Sequence, residues 1–331
     1  MRASWCCAVL CFSVAAATAG VAQSRLLVVS QRDHTFHVYD PATLNELKST
    51  VEDGGEDAGH EVIATVDGKT AFVPLYGDAG VGRAGTDGDH VDVFDVATGK
   101  LESTIPYGHG VRLHKPIYDP HTGMYLVTAE LDKAIAILDP KTRKFVGSIP
   151  TGQEQSHMIT LLPDGKKLYS ANVGPGTVSV MDVPNRKLLK VIPISKNTQR
   201  ISSSVDGRWV FTADQTKPEL VVIDTKTDEV AKRITLPDVG YGTTPTPDGK
   251  YLLVTMDKQE GMAVVDLKSM TVAKTIATPR GIDEVVVSPD SKTAYATSAK
   301  TDKVLSIDLV SMTTKKVVPT GKFPDGIWLT K

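Results

Sequence analysis

The amino-acid sequence predicts a seven-bladed β-propeller, and three observations indicate this fold class. Tight-turn phrases such as PDGK recur with spacings of 54, 43, 42, 42 and 42 residues, starting at Val66, Pro120, Pro163, Val205, Pro247 and Pro289. Short strand-like runs end in aspartate seven times, at Asp40, Asp95, Asp139, Asp182, Asp224, Asp266 and Asp308. No helical periodicity of useful length follows the N-terminal segment. Repeats of about 40–45 residues with four strands each are typical of propeller blades.

One repeat illustrates how the residues specify the strands. The segment 163–194 reads PDGKKLYSANVGPGTVSVMDVPNRKLLKVIPI. In its first turn, Gly165 is free to adopt a positive φ. KLYSAN and TVSVMD are β-branched and aromatic runs that alternate with a period of two, as half-buried strands do. LLKVIPI predicts a third strand, and residues 198–204 lead into the next repeat as a fourth.

The first repeat and the chain end each hold part of a blade. Residues 25–50 contain three strand-like runs, LLVVSQR, FHVYD and ELKST, without the innermost strand that precedes them in other repeats. The end of the chain, residues 324–331, reads PDGIWLTK and predicts a single strand. We therefore expect this last strand to complete the first blade. Such closure removes exposed sheet edges, which otherwise promote aggregation.

Residues 1–22 form a separate segment. Arg2 is followed by a small and apolar run, which is the pattern of a secretory signal peptide. We therefore expect residues 1–22 to be a signal peptide and residues 23–331 to be one propeller domain. All three cysteines, Cys6, Cys7 and Cys11, lie in the leader, so the mature chain has neither a disulfide nor a thiolate metal site.

The charge balance and the predicted export limit the kinds of partner that the protein can bind. The 37 Lys and Arg residues nearly balance the 39 Asp and Glu residues, and no run of basic residues occurs. We therefore expect no nucleic-acid binding. With the leader removed, no hydrophobic span remains, so the sequence predicts a periplasmic or extracellular protein. We expect it to be a monomer.

One blade carries an insertion. Residues 77–89, GDAGVGRAGTDGD, separate the second and third strand-like runs of that blade and are rich in Gly and Asp. Long loops are often functional, although insertions in surface loops are also easily tolerated. Propeller topology places this loop on the same face as the starts of the innermost strands.

The repeats resemble a known family. Phrases such as PDGKKLYSANVGPGTVSVMDVPNRKL and PDSKTAYATSAKTDKVLSIDLVSM are similar to the YVTN-type repeat of the YncE-like seven-bladed propellers. The resemblance covers residues 25–331 and implies an exported propeller of the periplasm or cell surface. Propellers of haem d1 biosynthesis, lactonase-type propellers and amine dehydrogenase heavy chains are relatives. The resemblance supplies no catalytic residue, since a fold does not by itself determine function.

Residues that repeat in every blade are poor candidates for a site. The seven strand-ending aspartates are expected to cap turns through their side chains. By contrast, the residue six places before each turn varies, and this position should encircle one mouth of the central channel. Together with the last strand it supplies His60, His114, His157, Gln199, Tyr241, Asp283 and Asp325. The neighbouring positions add Glu61, Lys115, Arg200 and Glu284, and the insertion adds Arg83 and His90.

These positions predict a binding site at the channel mouth. We expect a small molecule or a protein segment to bind His60, His114, His157, Arg200, Tyr241, Asp283 and Asp325, with Glu61, Lys115, Glu284, Arg83 and His90 as further candidates. Neutral imidazoles at His60, His114 and His157 would also accept a divalent metal or haem iron. The alternative is that these histidines bind no metal and only complete the hydrogen bonding at the starts of the strands.

Three functional hypotheses follow. The first is a non-catalytic binding scaffold, because no GxSxG elbow or nucleotide-binding loop occurs. The second is a haem-handling or metal-dependent redox protein similar to the haem d1 biosynthesis propellers. The third is a lactonase-type hydrolase using Glu61, Asp283 or Glu284 as acid or base. The sequence favours the first, so the catalytic residues are unassigned.

Overall fold

The computed structural model of the chain describes Met1 and residues 23–52, 57–256 and 259–331. The predicted signal peptide therefore lies outside the described residues, and the proposed domain boundary stays a prediction. The described part consists of seven four-stranded antiparallel sheets and one short 3₁₀ helix, Ala299–Thr301. None of its helices is long and apolar enough to cross a membrane.

The strands follow the predicted repeats. The first two blades contain β1 (Leu26–Ser30), β2 (Thr35–Tyr39), β3 (Glu46–Val51), β4 (Ile63–Ala64), β5 (Thr70–Pro74), β6 (His90–Asp95) and β7 (Leu101–Pro106). The next two contain β8 (Leu113–Asp119), β9 (Met124–Ala129), β10 (Ala134–Asp139), β11 (Lys144–Pro150), β12 (Ser156–Leu161), β13 (Lys167–Asn172), β14 (Thr177–Asp182) and β15 (Lys187–Pro193).

The last three blades complete the ring. They contain β16 (Ile201–Ser203), β17 (Trp209–Asp214), β18 (Glu219–Asp224), β19 (Glu229–Thr235), β20 (Gly240–Pro245), β21 (Tyr251–Met256), β22 (Met262–Asp266), β23 (Thr271–Ile276), β24 (Ile282–Val287), β25 (Thr293–Ser298), β26 (Lys303–Asp308), β27 (Thr313–Pro319) and β28 (Pro324–Leu329). The innermost strands β8, β12, β16, β20, β24 and β28 contact one another in succession, and β28 also contacts β4. The seven-bladed β-propeller is thus confirmed.

The first blade closes as predicted. Its strand order is β28-β1-β2-β3, and β28 pairs antiparallel with β1 in a register that sets Leu26 opposite Leu329. Ile327 is buried in a cluster with Leu26 and Tyr295. Because the ends of the chain meet in one sheet, the ring has no free inner edge at this blade.

The turn aspartates serve the role expected of them. Asp40, for example, accepts hydrogen bonds from the backbone N–H and the hydroxyl of Thr43. Equivalent backbone bonds occur at Asp95, Asp139, Asp182, Asp224, Asp266 and Asp308. Gly165 has the positive φ predicted for its turn, at 70°. These repeated residues therefore build the scaffold, and the apolar core lies between adjacent blades, as in the cluster that joins Phe72 to Tyr125.

Candidate functional site

The innermost strands share a local irregularity near the channel mouth. In five blades the innermost strand holds one extra residue relative to its partner, which forms a β-bulge. The bulges fall at residues 114–115, 157–158, 241–242, 283–284 and 325–326. A bulge breaks the alternation of side chains and re-aims them. As a result, adjacent residues such as His114 and Lys115 both contact groups from other blades.

A cavity of about 820 Å³ opens between these strand starts. Six of the seven ring positions lie on its wall, namely His60, His157, Gln199, Tyr241, Asp283 and Asp325. The insertion contributes residues 77–81 and Arg83 to the same wall. This confirms the prediction that the insertion lies on the face of the propeller where the innermost strands begin. His114 does not line the cavity; the residue is 1% exposed and its ring packs against the wall residues His60 and His157. We call this space the mouth cavity.

Tyr76 connects the three ring histidines. Its ring stacks on the imidazole of His60 with centroids 4.5 Å apart and meets the rings of His114 and His157 at 5.2 and 5.8 Å. The imidazoles of His114 and His157 lie closer still, with centroids 3.8 Å apart. The three histidines are therefore one packed cluster, as their shared position in the repeat predicted.

The cluster also depends on residues that sequence reasoning missed. The Tyr76 hydroxyl donates a hydrogen bond of 2.7 Å to Oε2 of Glu130, and the same oxygen lies 3.6 Å from Nδ1 of His157. Gln31 donates to Oδ2 of Asp325. Tyr76, Glu130 and Gln31 each follow the second strand of their blade, where the equivalent residues are Val173, Gln215 and Ala299. The residue type after the second strand varies from blade to blade, and this variation would have identified them as candidates.

His157 is held in one orientation. The side-chain amide Nε2 of Gln199 lies 3.0 Å from Nε2 of the imidazole, and an amide nitrogen only donates. Nε2 of His157 therefore carries a lone pair, and its proton lies on Nδ1, which is 3.6 Å from Oε2 of Glu130 and so slightly too far for a hydrogen bond. A carboxylate behind an imidazole is the arrangement that orients metal-binding histidines. Gln199, whose amide contacts that lone pair, lies on the cavity wall.

Burial keeps two other imidazoles neutral. Burial, followed by the neighbouring His157, lowers the pKa of His60 to about 3. The same causes hold the pKa of His114 well below its usual value. Neither nitrogen of His114 has a hydrogen-bond partner among the described residues. Both imidazoles are thus neutral at neutral pH, and the lone pair of His114 has no partner among the described residues.

A central charge cluster combines the ring residue Asp325 with four residues that lie one place further along the chain than the ring positions. It consists of Glu61, Lys115, Arg200, Glu284 and Asp325. Arg200 donates to Oδ1 of Asp325 at 2.6 Å and to Oε1 of Glu61 at 3.3 Å. Lys115 donates to Oε2 of Glu61 at 2.7 Å and also to Glu284. Because these residues come from five blades, their ion pairs tie the ring together across the channel.

The remaining candidate residues have separate surroundings. Tyr241 lies under the Arg200 guanidinium, whose carbon is 5.0 Å from the ring centroid. Asp283 is half-buried on the cavity wall. Arg83 is exposed on the insertion at the cavity edge. His90 is outside the cavity wall and pairs with Asp92 and Asp89, of which Asp92 contributes most to raising the pKa of His90 to about 9. Ligand binding by any of these residues stays a prediction.

Glu284 is expected to make stability depend on pH. Burial, then the charge of Glu61, raises the pKa of Glu284 from 4.5 to about 7. Between these pH values the folded state holds a proton that the unfolded state has released, so stability falls as pH rises from 4.5 to 7. Glu284→Gln should flatten this part of the profile, measured by urea unfolding at several pH values. The control Glu154→Gln, at an exposed ion pair with Lys133, should keep the wild-type slope. An unchanged slope in Glu284→Gln would contradict the assignment.

One match to a known protein family covers part of the chain. The family described as Cytochrome D1 heme domain matches residues 118–246, which is less than half of the chain. This range contains His157, Gln199, Arg200 and Tyr241. No match was found among the curated proteins. The finer resemblance to YVTN-repeat propellers stays a prediction.

Three solved structures are similar in fold. Hydrazine synthase of Kuenenia stuttgartiensis has a TM-score of 0.65 at 18% identity, covering 81% of this chain and 88% of that one. Dihydro-heme d1 dehydrogenase NirN in complex with DHE has a TM-score of 0.64 at 16% identity, covering 92% and 74%. A functionally unknown protein of Desulfotomaculum acetoxidans has a TM-score of 0.76 at 13% identity, covering 92% and 98%. At these identities the likenesses show the fold.

Proposed function

We propose that this chain binds a tetrapyrrole of the haem d1 class in the mouth cavity, with His157 as the axial ligand of the iron. The observation that carries the proposal is the match of a haem-domain family to the segment that supplies His157 and Gln199. This favours the second of the three sequence hypotheses. The proposal keeps the ligand site that the sequence predicted at the channel mouth, and it specifies a tetrapyrrole as the ligand.

The surroundings of His157 suit an axial ligand. Haem iron is bound by a neutral imidazole nitrogen whose other nitrogen is oriented by a carboxylate or carbonyl. In His157 the lone pair of Nε2 is held by the amide of Gln199, and Nδ1 faces Glu130. Gln199 is only half-buried on the cavity wall, so its side chain can give way to an incoming ligand.

The size and charge of the mouth cavity also suit a tetrapyrrole. Its volume of about 820 Å³ falls within the range of about 300–1,000 Å³ that ligand pockets occupy. Arg32, Arg83 and Lys300 lie on its lining, where their cationic groups would pair with the carboxylates of the macrocycle. The bound group would supply redox chemistry, and the chain would supply binding and orientation.

The cellular location is part of the proposal. The N-terminal segment has the pattern of an export signal, and the chain's relatives by resemblance are exported propellers. We therefore place tetrapyrrole binding in the periplasm or outside the cell. A monomer is enough for this role, because every group assigned to the site comes from one chain.

Titration with haem tests the proposal. The chain from residue 23 onward is expected to bind one equivalent of haem, with a shift of the Soret absorption band. Haem at about 100 times its Kd should stabilise the fold by about 2.7 kcal/mol, visible as a higher melting temperature. His157→Ala should lose the Soret shift.

The matched control is His109→Ala. His109 is an exposed histidine that pairs with Asp132 away from the cavity, so this variant should bind haem like the wild type. If the wild type neither shifts the Soret band nor gains stability, the tetrapyrrole proposal is wrong. If His60→Ala abolishes the shift and His157→Ala does not, the axial ligand is misassigned.

A further inference from the structure

Three buried ligand groups lie close together, and two of them are on the wall of the mouth cavity. His60, His114 and Asp325 each offer one ligand atom, and these atoms lie within 4.8 Å of one another. Their residues are only 8%, 1% and 5% exposed. They come from three blades, and β28, which carries Asp325, contacts β4 in the blade of His60. The tetrapyrrole proposal assigns no role to this group of residues.

The unpartnered imidazole of His114 indicates that a ligand is missing from the group. Both ring nitrogens of His114 are buried without a hydrogen-bond partner among the described residues. Buried polar atoms in folded proteins almost always have a partner, and those without one require an explanation. The flanking ring of Tyr76 packs edge-to-face against His114 and that of His157 packs in a tilted arrangement, and neither forms a hydrogen bond with a His114 nitrogen.

Asp325 is already positioned as a ligand. Arg200 holds its Oδ1 by a hydrogen bond of 2.6 Å, and Gln31 donates to Oδ2. Oδ2 also lies 4.0 Å from Nδ1 of His60. A carboxylate held by neighbouring donors is the outer-shell support that metal ligands usually have.

We propose that His60, His114 and Asp325 bind one divalent transition-metal ion, of which Zn²⁺ is the best fit. Two imidazole nitrogens and one carboxylate oxygen suit Zn²⁺ and related borderline ions. Three protein ligands leave an open coordination position, as in catalytic rather than structural zinc sites. Because His60 and Asp325 also line the mouth cavity, the open position faces that cavity. A small molecule entering the cavity can therefore reach the ion.

This ligand set differs from the one that the repeat pattern predicted. The pattern grouped His60, His114 and His157, because they occupy equivalent positions in consecutive blades. The proposed set takes Asp325 in place of His157, because the ligand atoms of His60, His114 and Asp325 lie within 4.8 Å of one another. The blade of His60 lies between those of Asp325 and His114, so the three ligands still come from adjacent blades around the ring.

Titration with Co²⁺ tests the site without tetrapyrrole. Tetrahedral or five-coordinate Co²⁺ absorbs visibly, so the wild-type chain from residue 23 onward should give bands that saturate at one equivalent and disappear when Zn²⁺ displaces the ion. His114→Phe keeps an aromatic ring at this position but removes its ligand atom. It should weaken Co²⁺ binding by more than the roughly 10–100-fold lost when an outer-shell partner is removed.

Two controls separate metal binding from folding. His109→Ala should bind Co²⁺ like the wild type. His114→Phe should keep the wild-type circular dichroism spectrum and unfold cooperatively on heating, which shows that the variant is folded. The metal proposal is overturned if the wild type gives no saturable bands, if the folded His114→Phe variant binds Co²⁺ as tightly as the wild type, or if His109→Ala loses the bands. None of these results depends on whether wild-type haem binding succeeds.

Discussion

Deleting residues 324–331 is expected to leave most molecules unfolded at 37 °C. The deletion removes β28, which pairs with β1 and completes the first blade. It also removes buried Ile327 and the half-buried Trp328, which packs against the clusters of the first three blades. Loss of large buried side chains costs about 2–5 kcal/mol each, against a total stability of about 5–15 kcal/mol. Circular dichroism during heating would measure the effect.

A circular permutant is the matched control for this deletion. Leu329 lies opposite Leu26, so residues 324–331 can be joined to residue 23 by a short linker, with new termini between residues 323 and 324. This protein keeps every strand and changes only the connection. It should melt near the wild-type temperature. A truncated protein that also melts at that temperature would refute the closure.

Replacing Arg200 is expected to cost about 3–5 kcal/mol of unfolding free energy. Arg200→Met keeps the length of the side chain but removes the guanidinium that pairs with Glu61 and Asp325. Breaking a buried ion pair from one side leaves the remaining charge without compensation in a medium of low polarity. Glu61 keeps its ion pair with Lys115, so most of the lost unfolding free energy should come from the uncompensated charge of Asp325. Urea unfolding at pH 7 would measure the difference.

Arg233→Met provides the comparison. Arg233 pairs mainly with Glu219, and both side chains are partly exposed, so solvent compensates for the lost pair. Buried Asp214, 3.8 Å from Arg233, keeps its two hydrogen bonds from Thr216. This variant should lie within about 0.5–1 kcal/mol of the wild type. If Arg200→Met were equally mild, the central charge cluster would not tie the blades together as we infer.

Much of the fold could be predicted because the chain repeats one unit. The turn aspartates and PDG phrases act within a few residues, so Asp40 and its equivalents cap their turns whatever surrounds them. The count of strands in the first repeat, together with the last strand, predicted the closure by β28. Propeller topology then placed His60, His157 and the insertion on one face.

The candidate site could be located but not assembled from the same pattern. Equivalent positions in the repeat predicted a ring of polar residues, and six of the seven reach the mouth cavity. The pattern did not show that Glu130 faces His157, or that Arg200 bridges Glu61 and Asp325. The pattern also did not indicate Tyr76, which packs on all three histidines.

The sequence by itself thus determined the number of blades, their closure and the face that carries the variable residues, because these features depend on local turns and on periodicity. Only the tertiary structure decided which side chains touch. The β-bulges turn adjacent residues such as His114 and Lys115 toward other blades, and no local pattern encodes that rotation. Contacts across the channel join residues more than 100 positions apart, as Arg200 and Asp325 are, so their partners depend on the packing of the whole ring.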